Sequence, residues 1–153
     1  TLEFMGNLTD QETADVCVIA KEVVKNHNSF NITLTKVDYG PENKIPPKFI
    51  WVAGEKSDEL LNLKKDLQEY LLEKVAFRPD ERGFVPHITL ARIKETEWRM
   101  IEPEERPEVK SEISLTFTAE SIEVMESELK RTGPVYTVLE SCEFADNLLS
   151  ENI

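Results

Sequence analysis

The chain has 153 residues, 40% of them hydrophobic and 31% charged, a balance that suits one globular domain or two small lobes sharing a core and excludes a disordered chain. Its net charge of −12, from 18 basic and 30 acidic residues, excludes the broad basic face that long duplex nucleic acid needs, yet leaves room for a few donors around a single phosphate. No apolar run approaches the ~18 residues of a membrane span, no signal peptide opens the chain, and two distant cysteines, Cys17 and Cys142, read as free thiols of a reducing, cytoplasmic compartment.

Residues 1–5, Thr-Leu-Glu-Phe-Met, alternate like a strand that Gly6 ends. Because the chain starts at Thr1 inside that pattern, a natural segment is expected to precede it. Thr9 and Glu12 have capping-box spacing. The spacing of Val16, Ile19, Ala20, Val23 and Val24 then predicts a helix running to about Asn28, with Cys17 fitting its core as a small hydrophobe. Residues 30–38 alternate Phe30, Ile32 and Leu34 with Asn31, Thr33 and Thr35, the pattern of a half-buried strand. A loop with three prolines leads to a short apolar strand at 49–53.

Ser57 caps a second predicted helix over 58–74, with Leu60, Leu61, Leu63, Leu67, Tyr70 and Leu71 as its apolar stripe. The loop "RPDERGF" precedes a strand at "PHITLAR", residues 86–92. Residues 95–111 read as a helical turn plus loop, and 113–119, 121–127 and 135–144 as strands, the last two joined through residues 131–134. Six or seven strands with two long helices predict an α+β fold. Similar strand and helix units in the two halves suggest two sheet-bearing lobes in a pseudo-twofold relation, facing a central cleft with the helices packed outside. Residues 1–144 then form a single bilobal domain, and 145–153 a frayed tail.

In a strand, residues i and i+2 share a face. His87 and Thr89 therefore project together, while Ile88 and Leu90 are expected to anchor the strand in the core. An imidazole beside a hydroxyl suits phosphoryl chemistry: the ring moves protons near neutral pH and the hydroxyl donates to a non-bridging oxygen. The chain holds no HExxH and no histidine cluster, so no metal or other cofactor is expected. Displacement at phosphorus wants two proton-transfer groups, and one His-x-Thr unit supplies one. Arg92 lies three residues after Thr89, so a regular strand turns it to the opposite face; it joins them only if the strand ends or bulges near Ala91. Phe84 either stacks on a base or packs in the core. The other histidine, His27, stands in "KNHNSF" at a helix end, where an imidazole is favourable through the helix dipole, and reads as structural or exposed.

"RGFVPHITLARI" resembles the second signature of the two-histidine phosphoesterases, and more narrowly the RNA 2′,3′-cyclic phosphodiesterases once called 2′-5′ RNA ligases. Members carry two His-x-Thr motifs, the first typically reading His-x-Thr-Leu-x-Phe-x-Gly. Thr1-Leu2-Glu3-Phe4-Met5-Gly6 is similar to that motif from its threonine onward. "FIWVAG" and "MESELKRTGPVYTVLESCEF" resemble the family's central strand and C-terminal hairpin, so the resemblance covers residues 1 to 144.

The resemblance implies a first strand, a first helix and a first motif histidine ahead of Thr1. Either the native protein is longer, or the chain is a relative with a single motif histidine. The implied reaction opens a 2′,3′-cyclic phosphate at the end of RNA or a short oligonucleotide, leaving a 2′-phosphate, with 2′-5′ ligation as its reverse. One histidine deprotonates water and the other protonates the leaving 3′ oxygen. His87 takes one of those roles, with Thr1, Thr89 and Arg92 on the phosphate. The competing reading is a nucleotide- or RNA-end-binding module that kept the motifs without catalysis.

Overall fold

The computed structural model describes residues 1–42, 44–79 and 83–146. Their elements run α1 (Asp10–Val24), β1 (Phe30–Gly40), β2 (Phe49–Gly54), α2 (Asp58–Leu72), β3 (His87–Arg92), α3 (Glu95–Met100), β4 (Ser111–Ala119), β5 (Ser121–Lys130) and β6 (Gly133–Glu143), with a 3-10 turn at Pro103–Glu105. This is the expected α+β class. The chain divides into two units, one of residues 1–31, 57–82 and 118–153, the other of 32–56 and 83–117.

In the first unit α1 packs on α2 and on the β5–β6 hairpin. The Thr9 hydroxyl accepts from the Glu12 N–H, and the Glu12 carboxylate accepts from the Thr9 N–H at 2.8 Å, so the expected box closes. The apolar stripe of α1 is buried as its spacing requires. The helix stops at Val24, before the expected Asn28, because Asn26 and Asn28 are poor helix formers and the His27 carbonyl accepts from the Ala145 N–H. Cys142 is buried and Cys17 partly so; both are free thiols. Phe144, fully buried, meets Phe30 with ring centroids 5.7 Å apart.

The Ser57 hydroxyl caps α2 by accepting from the Leu60 N–H. Leu60, Leu63, Leu67 and Leu71 are buried as expected, but Tyr70 is 48% exposed and Lys64 is buried on that face instead. A charge is tolerated there because it is paired. Lys64 Nζ lies 2.5 Å from the Glu3 carboxylate and donates to the Leu2 carbonyl at 2.7 Å; Gln68 donates to the same carboxylate. The strand expected at residues 1–5 is not formed: they belong to no sheet among the described residues. Alternation needs a neighbouring strand to become a ladder, and here a lysine supplies the donor to Leu2 instead.

The β5–β6 hairpin turns on two residues, Arg131 and Thr132, with Lys130 facing Gly133, whose φ of +125° only glycine adopts readily. Ala145 and Asp146, where the expected tail begins, are tied back: Ala145 to His27, and Asp146 to the Ser29 N–H and hydroxyl. The rest of that tail lies outside the described residues.

The second unit holds most of a four-stranded sheet in the order β3-β2-β1-β4, antiparallel between β1 and β2 and between β2 and β3. The His87 strand was expected to be buried; it lies at the sheet edge, with Ile88 47% and Leu90 57% exposed. An edge strand has one neighbour, and these two aliphatic side chains gain correspondingly little cover. The well-covered residues are Leu34 on β1 and Trp51, Val52 and Ala53 on β2. Among the described residues no helix is long and apolar enough to cross a membrane.

Candidate active site

β3 begins directly after a proline, which cannot donate to a ladder and so suits a strand start. The Pro86 carbonyl accepts from the Gly54 N–H at 2.9 Å and locks the register of the following residues. His87 then faces Ala53, Ile88 faces Val52 and Thr89 faces Trp51. The next pair is Ile50 with Ala91, then Phe49 with Arg92. β3 therefore spends two residues where β2 spends one, and Leu90 is the extra residue of a β-bulge.

The bulge decides where Arg92 points. Directly opposed residues share a face, and Ala53, Trp51 and Phe49 alternate regularly on β2. Their partners His87, Thr89 and Arg92 therefore form one row. Ring contacts agree: the Trp51 and His87 centroids lie 4.7 Å apart, and the Arg92 guanidinium carbon lies 5.2 Å from the Phe49 ring centre. β1 extends the face with Lys36 opposite Ala53, Asp38 opposite Trp51 and Gly40 opposite Phe49.

The imidazole of His87 is oriented by its own chain. Nδ1 lies 2.8 Å from the Val85 carbonyl. A carbonyl only accepts, so Nδ1 carries the hydrogen and the neutral ring presents the Nε2 lone pair. Trp51 packs against that ring from a buried position and rests on Gly40, where a Cβ would fall inside the indole. The face thus offers one imidazole with a defined tautomer, one hydroxyl and one guanidinium, the set needed to move a proton and hold a phosphate.

The remaining predicted residues are not members of that row. Thr1 is exposed and belongs to the first unit, in the segment held by Lys64 and Gln68. Phe84 is half-buried three residues ahead of His87. His27 is structural: its Nε2 lies 2.9 Å from Asp66 on α2, with its side chain 13% exposed. Sequence reasoning missed Trp51, Asp38, Lys36 and Gly40. "FIWVA" reads as uniformly apolar, and only the pairing register reveals which of its residues stand under His87 and Thr89.

Residues 4–131 match the model of the 2′-5′ RNA ligase superfamily. A Thermotoga maritima protein named RNA 2′,3′-cyclic phosphodiesterase is 29% identical over 152 residues, covering 97% of this chain and 76% of that one. A Thermus thermophilus protein of the same name is 32% identical over 145 residues, covering 92% and 68%. Among solved structures, TT0787 of Thermus thermophilus superposes with a TM-score of 0.78 at 27% identity, covering 94% of this chain and 76% of that one. Escherichia coli LigT complexed with 3′-AMP shares the fold at a TM-score of 0.66 and 19% identity, covering 94% and 74%. The chain belongs to the 2′-5′ RNA ligase superfamily.

Proposed function

We propose that the chain opens 2′,3′-cyclic phosphate ends of RNA to 2′-phosphates, with 2′-5′ joining as the reverse reaction of the same groups. The observation that carries this reading is the row His87, Thr89, Arg92, aligned by the bulge at Leu90. The names of the Thermotoga and Thermus relatives supply the substrate class.

In this mechanism Nε2 of His87 exchanges a proton with either the attacking water or the departing 3′ oxygen, while Nδ1–H stays on the Val85 carbonyl. The Thr89 hydroxyl donates to a non-bridging oxygen, and Arg92 compensates charge building at phosphorus. Thr1 is the second phosphate-binding hydroxyl, the role that the resemblance of residues 1–6 implies. These groups supply one of the two proton transfers and the charge compensation without a metal ion.

The test is turnover of RNA ending in a 2′,3′-cyclic phosphate, in EDTA, with the product phosphate located by 31P NMR. His87→Ala lowers turnover about 10²–10⁴-fold, the usual contribution of a general acid–base group, and leaves the circular dichroism spectrum unchanged. Turnover by that variant near the wild-type rate, or loss of activity to EDTA, overturns the mechanism. Wild-type binding of the cyclic end with no turnover supports the binding-module reading instead.

A further inference from the structure

The second unit contains another concave site that the row at His87 does not use. It is a pocket of about 560 Å³ at the far end of β1 and β2, formed by the end of β1, residues 41, 42, 44, 45 and 47, α3 and the segment that leads to β4. Trp98 and Tyr39 meet edge to face there with centroids 5.2 Å apart, and the Arg106 guanidinium carbon lies 4.9 Å from the centre of the Trp98 ring. The Tyr39 hydroxyl donates to the Pro107 carbonyl, which ties the segment carrying Arg106 to β1.

Two donors in this group are left over. Trp98 Nε1 and Arg106 Nε are both buried and have no hydrogen-bond partner among the described residues. A buried N–H without an acceptor is costly, more so when the group is charged, so two in one cluster mark a place for an acceptor. Lys44 and Lys110 also line the pocket. Its two carboxylates are engaged: Asp38 accepts from the Tyr39 N–H, and Glu42 is bound by Lys36 at 2.9 Å, which holds its carboxyl below the usual range. Three cations, Lys44, Arg106 and Lys110, thus line the pocket beside two acids, one of them paired with Lys36, in a chain whose net charge is −12. Paired donors beside clustered cations select an oxyanion.

The pocket adjoins the proposed active face. Asp38 belongs to that face and also lines the pocket. Pro41 and Pro47 lie one and two residues beyond the row Gly40, Phe49, Arg92 that ends it. We infer that this pocket takes a phosphodiester group of the RNA strand some nucleotides away from the cyclic end, and so makes the protein prefer oligonucleotides to mononucleotides. The inference rests on the reading that the substrate is RNA.

Binding isolates it from catalysis. Dissociation constants are measured by fluorescence anisotropy for a labelled octaribonucleotide, and by competition for a 2′,3′-cyclic mononucleotide and inorganic phosphate. Wild type binds the octamer more tightly than the mononucleotide. Trp98→Phe, which keeps an aromatic ring while removing the N–H with the pyrrole half of the indole, and Arg106→Gln each weaken the octamer about tenfold, the value of a hydrogen bond to a charged group. Both leave the mononucleotide within about twofold, a shift too small for a lost hydrogen bond. Arg106→Gln also reduces the salt slope for the octamer by about 0.7, one phosphate contact on a single strand. Lys110→Ala, at an exposed position, weakens the octamer without touching the Trp98 cluster, which guards against loss through misfolding.

Equal affinity of wild type for octamer and mononucleotide, or unchanged octamer affinity in the three variants, overturns the inference. Variants that weaken inorganic phosphate but not the octamer mark a small-anion site and overturn it too. Separately, a wild type that turns over no RNA ending in a 2′,3′-cyclic phosphate, while the variants still lose octamer affinity, overturns the catalytic reading and leaves this one standing.

Discussion

His87 is defined by three small facts: a carbonyl on Nδ1, an indole against its ring, and a glycine beneath that indole. The chain of support predicts that Gly40→Ala acts at a distance. A methyl there displaces Trp51, costing about 1–3 kcal/mol of stability as overpacking does, and it disturbs the imidazole that Trp51 braces. Thermal melting checks the first effect and kcat for a cyclic phosphate the second; a variant with wild-type Tm and kcat removes Trp51 from the account. The cysteines give a residue-scale prediction of opposite kind. Burial, reinforced by Glu140, raises the Cys142 thiol above its ordinary value, and burial does the same for Cys17. Both thiols thus stay protonated in the folded chain where an unfolded thiol, of pKa about 8.5, has begun to ionise. The stabilisation is complete below that value and fades as pH rises through the folded values. Native protein at pH 8 therefore reacts slowly with a thiol reagent and rapidly once denatured, and its stability declines above about pH 8.5. Fast native labelling at Cys142 contradicts the burial argument.

At the scale of the element, the bulge in β3 carries the most information. Arg92 stands at an odd spacing from Thr89, and the extra residue Leu90 restores it to the same face. Exchanging the two neighbours, Ala91→Arg with Arg92→Ala, keeps composition and places the guanidinium opposite Ile50, on the other face. That exchange should lose as much turnover as Arg92→Ala alone, about 10²–10³-fold for one group stabilising transition-state charge. Retention of activity in the exchanged variant rules out the face assignment. α2 holds the segment of residues 1–5 through Lys64 and Glu3, whose side chains are 10% and 7% exposed. Removing one partner of a buried pair leaves an uncompensated charge, so Lys64→Met costs about 3–5 kcal/mol and Glu3→Gln in addition recovers part of it. Chemical denaturation of the single and double variants measures the coupling; additive losses deny the pairing.

Across the whole molecule, the periodic segments were legible and the pairings were not. The stripes of α1 and α2, their caps and most of the strands could be read from spacing, because burying one face of a helix needs apolar residues every three or four positions. Leu63, 1% exposed, is central to that pattern, and Leu63→Ala should cost about 2–5 kcal/mol. A loss below about 1 kcal/mol by denaturant titration, outside the range for emptying a core site, places the core elsewhere. Residues 1–5 show the limit of the method: alternation is a capacity for pairing, and no sheet among the described residues takes them up. Ile88 and Leu90 likewise read as core, yet β3 is an edge strand and both are exposed.

The α+β class and the His-x-Thr pattern at His87 and Thr89 were readable from residue order alone, since they depend on residue type and on spacings of a few positions. Which face Arg92 joins, that Trp51 lies under His87, that Lys64 sits in an apolar stripe, and that Trp98 and Arg106 share a pocket all required the folded chain. Each rests on a register or a contact between distant segments, and spacing within one segment carries no record of it.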